Sequence, residues 1–284
     1  MNLPIARTIE EVRKIIGDAR LEKLSIGLVP TMGALHAGHA SLIERARADS
    51  EFVAVSIFVN PLQFGPNEDY LRYPRPLEKD IEVCNRNGAD LVFVPGVNDI
   101  YVSPQRTFVE VAGLGDCLCG AFRPGHFRGV TTVVAKLFNI VQPDRAYFGE
   151  KDFQQLSIIR RMVQDLNMPV AVVPVPIFRE TDGLALSSRN VYLGPEERAA
   201  APVLHRALQA SRELIEAGER DPGAIKDAAA RILGSEKLVK PEYFEIVDTV
   251  EVQPVSEIVG EVRVAGALWL GKTRLIDNVA AVAR

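Results

Sequence analysis

The run from Phe52 to Val59 constrains the fold more than any other stretch, because every residue in it except Ser56 is apolar. A strand that is apolar on both faces is typical of a parallel sheet with helices packed on each side. Further short apolar runs alternate with segments of helical periodicity and lie at 25–29, 90–94, 145–148 and 170–177. This alternation predicts an α/β fold, a doubly wound parallel sheet of Rossmann-like type.

Helices are predicted where apolar residues recur at every third or fourth position. Residues 96–128 look irregular apart from one predicted strand at Thr107–Val111. Two prolines place the run at 170–177 at an edge of the sheet, because proline cannot donate to a neighbouring strand. The predicted helices are 10–16, with Gly17 as its end, one from Ala40 onward, and 77–87, 130–141 and 152–166.

The pattern changes after residue 182, where helices precede strands instead of alternating with them. One helix is expected from Pro195 to Gly218 and a second from Asp221 to Gly234. The strands expected after them are 243–250, 261–270 and 273–276. This order predicts a smaller C-terminal α+β domain at 183–284, behind a Rossmann-like domain at 1–182.

The composition argues against several classes of protein. A net charge of −4 without a basic stripe does not suit a nucleic-acid partner. We expect no membrane association, because no apolar run has the length of a membrane span, and no secretory signal is recognised at the start. The chain has three cysteines, Cys84, Cys117 and Cys119. Because an odd number does not build a disulfide framework, we expect reduced thiols and a location in the cytoplasm. Their spacing does not match a zinc site, and no metal ligand is assigned.

The segment from Pro30 to His39 reads Pro-Thr-Met-Gly-Ala-Leu-His-Ala-Gly-His. It joins the predicted strand at 25–29 to the helix predicted from Ala40 onward. Gly33 and Gly38 allow backbone conformations that a Cβ would block, and the N–H groups at a helix start suit phosphate. His36 and His39 lie three residues apart, so on a helical turn they share a face and can reach one ligand. The pattern predicts a nucleotide-handling turn, with surface residues, a capping pair or metal ligands as the alternatives.

Two further segments carry positive charge after predicted strands. Lys151 stands at a strand-to-helix junction, where its charge can meet a triphosphate, although Asp152 and Gln155 also fit a capping box there. The residues Ser187–Arg189 lie on a later loop. That loop is interpreted either as a flexible anion clamp or as a solvated turn between domains.

Polar side chains also follow the apolar run that begins at Phe52. Gln63 offers both a donor and an acceptor, which suits a small hydroxy acid as well as a strand-end cap. Arg123 and His126 lie in a Gly/Pro loop that either contacts phosphate or is an ordinary loop. The positions of these segments indicate where a ligand would bind. Ligands bind at the carboxyl ends of parallel strands, near the point where the strand order reverses. Asn60 and the segment 149–152 follow predicted strands, as the turn at 30–39 does, which supports a ligand site at the carboxyl ends of the strands.

These motifs together resemble known enzymes. His36-Ala-Gly-His39 after a first strand is similar to the HxGH signature of the nucleotidyltransferase superfamily, which includes class I aminoacyl-tRNA synthetases. The ordered set resembles the pantoate–β-alanine ligase family over nearly the whole chain, and comprises Pro30–His39, Phe58–Phe64, Arg123–Phe127, Phe148–Asp152 with Gln155, and Leu186–Asn190. The resemblance implies ATP-dependent condensation of (R)-pantoate with β-alanine through pantoyl adenylate, with release of pyrophosphate and AMP.

The resemblance also implies a role for each matching position. The catalytic positions are His36, His39, Lys151 and Arg189. The substrate-binding positions are Gln63 and Gln155, and the positions that would support them are Asn60, Arg123 and His126. The positions implied to bind ATP are Met32, Gly33, Ala34, Leu35, His36, Ala37, Gly38, His39, Gly149, Glu150, Lys151, Asp152, Phe178, Leu186, Ser187, Ser188 and Arg189. The resemblance further implies that ATP is a substrate that acts with Mg²⁺ and that no organic cofactor is needed. It also implies a homodimer, in which the smaller domain of each chain closes over the site.

Two other functions fit some of the same features. A different HxGH nucleotidylyltransferase would release a stable nucleotide conjugate in place of AMP. A non-catalytic nucleotide-binding or RNA-binding module would need a basic stripe that this acidic chain lacks. The sequence identifies no general base for the attack by the amine.

Overall fold

The computed structural model describes residues 3–66 and 68–283, which divide into two compact units. The first unit comprises Met1–Val111, Arg123–Glu150 and Ile158–Pro176, and the second comprises Ala112–Phe122, Lys151–Ser157 and Ile177–Arg284. The domain limits drawn from the sequence, 1–182 and 183–284, stay predictions, as does closure of the smaller domain over the site.

Among the described residues, six parallel strands form the sheet of the first unit. In chain order they are β1 (Ile5–Ala6), β2 (Ile26–Thr31), β3 (Phe52–Ile57), β4 (Leu91–Phe93), β5 (Arg145–Gly149) and β6 (Ala171–Val175). Their order in the sheet is β1-β4-β3-β2-β5-β6, so the direction of winding reverses between β2 and β5. The doubly wound parallel sheet is confirmed, and so is the edge position of β6.

The helices occur at most of the predicted places. They are α1 (Ile9–Leu21), α2 (Ala37–Asp49), α3 (Leu77–Arg86), α4 (Val97–Ile100), α5 (Leu118–Phe122), α6 (His126–Val141), α7 (Phe153–Asp165), α8 (Pro195–Ala200), α9 (Val203–Glu216) and α10 (Pro222–Leu233). Leu42 and Ile43 of α2 pack with Val53 and Val55 of β3 in one core, as the apolar periodicity predicts. No described helix is both long and apolar enough to cross a bilayer.

Several predictions about the first unit were wrong. Helix α4 lies within the stretch 96–128 that was expected to be irregular, and α6 begins at His126, which was expected to lie in a loop four residues before the predicted helix at 130–141. Helix α1 does not end at Gly17, because Ala19 continues its buried face beyond that residue. A glycine inside a helix costs only about 1 kcal/mol relative to alanine, which this packing offsets. Within the described chain, Thr107–Val111 forms no strand. The N–H of Val109 donates to Thr132 Oγ1 at 3.0 Å instead, so this segment is bonded to side chains of α6.

The second unit contains an antiparallel sheet whose three strands, among the described residues, are β7 (Val239–Asp248), β8 (Glu261–Leu270) and β9 (Thr273–Val282), in that order. Helices α8, α9 and α10 pack with this sheet in one apolar core, which confirms the α+β prediction. The helix expected from Pro195 to Gly218 is divided into α8 and α9. Pro202 stands at the break, where a proline has no N–H to donate along a continuous helix.

Strand β9 is longer than the predicted segment 273–276. Its pairing with β8 continues to Val282, because Val279 and Ala281 remain buried beyond the predicted end. The additional residues include Asp277 and Asn278, both of which are buried polar side chains.

Candidate functional site

A carboxylate from α3 holds the turn that follows β2. Asp80 is 1% exposed and accepts the backbone N–H groups of Ala34 at 2.9 Å and Leu35 at 2.7 Å. Gly33 has a φ of 84°, and a Cβ there would lie 3.0 Å from Asp80 Oδ2 and 3.1 Å from Ile57 Cγ2. Burial raises the pKa of Asp80 above its ordinary value, although the two N–H donors oppose this. The N–H groups of Ala34 and Leu35 are therefore engaged within the protein.

The two histidines of the motif cap the helix that they precede. Helix α2 starts at Ala37, three residues before the predicted start, because His36 is its N-cap. The N–H of Gly38 donates to His36 Nδ1 at 3.1 Å, and the N–H of His36 donates to His39 Nδ1 at 3.3 Å. A ring nitrogen that accepts a hydrogen bond carries no proton, so each neutral imidazole carries its proton on Nε2. The capping alternative is thus realised, and it leaves Nε2–H as the donor of each ring.

Gln63 is held on its side-chain atoms by neighbours in the first unit. It ends a short 3₁₀ turn, Pro61–Gln63, which begins four residues after the end of the strand β3, and is 9% exposed. Its Oε1 accepts from Asn60 Nδ2 at 3.1 Å, and its Nε2 lies 2.9 Å from Met32 Sδ. Asn60 is itself 1% exposed and accepts from the Tyr101 hydroxyl at 2.8 Å. The contact between Gln63 Nε2 and Met32 Sδ brings two predicted ligand-binding residues together.

The main-chain carbonyl of Gln63 is held as well. It accepts from His126 Nδ1 at 2.8 Å and from Arg123 Nη2 at 3.2 Å. Because a carbonyl oxygen can only accept, His126 carries its proton on Nδ1, which leaves Nε2 to accept from Arg123 Nη1 at 3.1 Å. Arg123 also binds Glu68, and although burial raises the pKa of Glu68, the guanidinium lowers it below the ordinary value. Arg123 and His126 thus both bind the main chain of Gln63, and their supporting role in the site stays a prediction.

In the second unit, two of the predicted phosphate-binding segments meet at one cavity. The cavity brings Lys151, from the strand-to-helix junction, together with Ser187, from the later loop. Lys151 Nζ lies 3.8 Å from Asp152 Oδ2, and the lysine side chain is 21% exposed. The lining residues are Lys151, Leu184, Ala185, Ser187, Ala201, Leu204, His205, Leu275, Ile276 and Asp277.

The later loop is an ordered element. The N–H of Leu186 donates to the carbonyl of Phe178 at 3.0 Å, which joins two residues predicted to bind ATP. Ser187 then caps a short 3₁₀ helix, Ser188–Tyr192, by accepting from the N–H of Arg189 at 3.2 Å. The hydroxyl and the guanidinium of the predicted anion clamp therefore follow a hairpin whose ends are bonded to each other.

The predicted site residues fall into both units. The first unit contains residues 32–39, Asn60, Gln63, Arg123, His126, Gly149 and Glu150. The second contains Lys151, Asp152, Gln155, Phe178, Leu186, Ser187, Ser188 and Arg189. Within the first unit, the turn at 32–39 follows β2, and Gly149 is the last residue of the neighbouring strand β5, at the point where the strand order reverses. That His39 and Lys151 serve one nucleotide stays a prediction.

Sequence reasoning missed Asp80 and Glu68. The only local signal for Asp80 was its position four residues before Cys84, which places it on the buried face of α3. Glu68 gave no signal, because it lies in a polar loop 55 residues before its partner Arg123. The described residues contain no group of three or more His, Cys, Asp or Glu side chains suited to hold a metal ion.

Comparison with known proteins agrees with the sequence resemblance. A family model for pantoate-beta-alanine ligase matches residues 4–280. The pantothenate synthetase of Moorella thermoacetica is 53% identical over 277 residues, which is 98% of each chain. The crystal structure of pantothenate synthetase from Thermus thermophilus is similar at 50% identity and a TM-score of 0.92, over 97% of this chain and 98% of that one.

A third protein extends the comparison to a ligand complex. The pantoate-beta-alanine ligase from Francisella tularensis, crystallised with beta-gamma ATP and beta-alanine, is 34% identical with a TM-score of 0.78. The match covers 98% of this chain and 97% of that one. The predicted family is confirmed over almost the full length of the sequence, and the chain belongs to the pantoate–β-alanine ligase family.

Proposed function

We propose that the chain condenses (R)-pantoate with β-alanine to pantothenate in an ATP-dependent reaction that passes through pantoyl adenylate. The observation that carries this proposal is the family match over residues 4–280. Two of the three proposed substrates correspond to ligands in the Francisella tularensis complex, which contains beta-gamma ATP and beta-alanine.

In the first step, a carboxylate oxygen of pantoate attacks the α-phosphorus of ATP. The bond between that phosphorus and the oxygen bridging to the β-phosphate breaks, and pyrophosphate leaves. Negative charge builds on the phosphate oxygens, so fixed donors and cations lower the barrier. We assign this role to His36 and His39, whose Nε2–H groups are the ring donors, and to Lys151 and Arg189. The remaining predicted ATP-binding positions would orient the nucleotide.

In the second step, the amine nitrogen of β-alanine attacks the carbonyl carbon of pantoyl adenylate. The bond between that carbon and the phosphate oxygen breaks, AMP leaves, and the nitrogen loses a proton. We assign Gln63 and Gln155 to pantoate. The hydrogen bonds that Asn60, Arg123 and His126 make to Gln63 support this assignment. A side-chain amide that is already held in place can orient pantoate without losing further conformational freedom.

Mg²⁺ would reach the site with its nucleotide. The described residues offer no cluster of side chains suited to a resident metal ion, and the phosphate oxygens of ATP are ligands that Mg²⁺ prefers. We therefore treat Mg²⁺ as part of the ATP substrate. We also propose a homodimer, supported by the family resemblance, and location in the cytoplasm, supported by the three unpaired cysteines.

Pantoate-dependent exchange of labelled pyrophosphate into ATP tests the proposal. The exchange should require pantoate but not β-alanine, because only the first step forms and consumes pyrophosphate. Active protein that shows no such exchange would contradict the proposal. Mass spectrometry of the products tests the alternative, because another HxGH nucleotidylyltransferase would release a stable nucleotide conjugate instead of AMP.

A further inference from the structure

Asp277 on β9 holds one arginine through both of its carboxylate oxygens. Its Oδ2 accepts from Arg179 Nη1 at 2.6 Å, and its Oδ1 accepts from Arg179 Nη2 at 2.9 Å. The aspartate side chain is 4% exposed and the arginine side chain 20%. Two parallel bonds between a guanidinium and a carboxylate fix orientation as well as distance. Arg179 is therefore held in one position relative to β9.

Arg179 lies in the hairpin that leads into the loop of Ser187. It pairs with Ala185 across that hairpin, and its Nη1 also donates to the carbonyl of Gly183 at 3.0 Å. Because Ser187 follows Ala185 by two residues, the ion pair with Asp277 anchors the base of the Ser187 loop to the sheet.

Asn278, the next residue on β9, holds the other segment of the cavity. Its Nδ2 donates to the main-chain carbonyl of Lys151 at 3.0 Å. The side chain is fixed in turn, since Asn278 Oδ1 accepts from Arg263 Nη1 at 3.2 Å and the residue is 3% exposed. Two adjacent residues of one strand thus bind the two segments that meet at the cavity.

We propose that Asp277 and Asn278 are positioning residues for ATP, which act through Arg179 and through the main chain of Lys151. A cation and a hydroxyl stabilise the same phosphate group only when they are held close to the geometry that it requires. This inference rests on the proposed function, because it takes ATP as the ligand of the Lys151 and Ser187 segments.

The alternative is that the Arg179–Asp277 ion pair only stabilises the fold, and the chain contains a matched control for it. Glu242 on β7 binds Arg274 on β9, with side chains 10% and 14% exposed. The described residues that line the cavity do not include Glu242. Asp277→Asn and Glu242→Gln each remove one charge from a buried ion pair of the same sheet while keeping the size of the side chain.

The experiment compares the full-length wild type with both variants, using isothermal titration with a non-hydrolysable ATP analogue and thermal unfolding. We expect both variants to lower the melting temperature. Asp277→Asn should weaken binding of the analogue about tenfold, which is the loss expected from one weakened charge-assisted hydrogen bond. The affinity of Glu242→Gln for the analogue should stay within about twofold of the wild-type value. Hydrogen exchange at residues 180–190 should be faster in Asp277→Asn than in Glu242→Gln. Equal weakening by both variants, or no weakening by Asp277→Asn, would overturn the proposal.

Asn278→Ala tests the same proposal if Asp277→Asn does not fold, because it keeps the ion pair and removes only the donor to Lys151. It should also weaken binding of the analogue, and unchanged binding would overturn the proposal. A wild type that binds the analogue but shows no pantoate-dependent exchange contradicts the proposed function and leaves the positioning role in place. A wild type that binds no analogue overturns both.

Discussion

The backbone N–H of His36 donates to Nδ1 of His39 at 3.3 Å, so the second histidine of the motif closes the helix turn that the first one begins. The bond from Gly38 N–H to His36 Nδ1 completes a reciprocal cap. Both imidazoles thus use one nitrogen for the helix, and the proton of each neutral ring lies on the other. The same residues that start α2 are thus the ones to which we assign the role of donors to ATP.

Replacement of His39 by Asn and by Gln separates these two roles. Asn has a side-chain oxygen near the place of Nδ1, which can keep the cap, but it has no donor at the place of Nε2. We expect His39→Asn to fold and to lose pyrophosphate exchange by about a hundred- to a thousandfold. His39→Gln should retain more activity, since its amide nitrogen reaches closer to the position of Nε2. Exchange assays with thermal unfolding measure this. Wild-type exchange in the Asn variant would contradict the donor role.

Asp80→Asn should disturb the turn at Gly33–Leu35. An amide presents one oxygen where the carboxylate presents two, so one of the two backbone N–H groups loses its acceptor in a buried place. We expect a loss of about 1–3 kcal/mol in the free energy of unfolding, together with weaker ATP binding. Denaturant unfolding and titration calorimetry measure both quantities. Glu78→Gln, an exposed change on the same helix, is the control and should alter neither.

Arg123→Leu should raise KM for pantoate more than KM for ATP. The variant removes the bonds from Arg123 to the Gln63 carbonyl, to His126 and to Glu68. We expect an increase of about tenfold in KM for pantoate, as one charge-assisted hydrogen bond that holds Gln63 is lost. Steady-state kinetics measures this, with Arg86→Leu, in an exposed ion pair on α3, as the control. Parallel increases in both KM values would argue against a specific role near pantoate.

His205 should make stability depend on pH. Burial, and then the charge of Arg179, lower the pKa of His205 below its ordinary value of 6.5. In the unfolded chain this histidine takes up a proton as the pH falls through about 6.5, whereas the folded chain takes it up only at lower pH. The contribution of His205 to the free energy of unfolding is therefore fully present above the pKa that it has in the unfolded chain. This contribution is lost as the pH falls from there through the pKa of the folded chain.

Denaturant unfolding at a series of pH values checks this expectation. His205→Gln cannot take up the proton, so its free energy of unfolding should fall less than that of the wild type between about pH 7 and pH 5. The same pH slope in both proteins would show that His205 does not contribute.

Several elements could be predicted because their signals are local. The apolar run at Phe52 predicted β3, since a strand covered on both faces has no polar side. Asp221 and Pro222 predicted the start of α10, where Asp221 caps the N–H groups of Gly223 and Ala224. The helix end at Gly17 and the strand at Thr107–Val111 were wrong, because packing of Ala19 and bonds from α6 outweighed the local signals.

The sequence by itself determined the fold class, the family and the motif residues, because apolar periodicity and motif spacing are properties of short segments. Tertiary structure decided which partner each side chain has. Asp80 meets a turn 45 residues earlier in the chain, Arg179 meets Asp277 across 98 residues, and Asn278 meets Lys151 across 127. Such pairs form only when packing of the apolar core brings distant elements together, and no local pattern records which polar groups will then face each other.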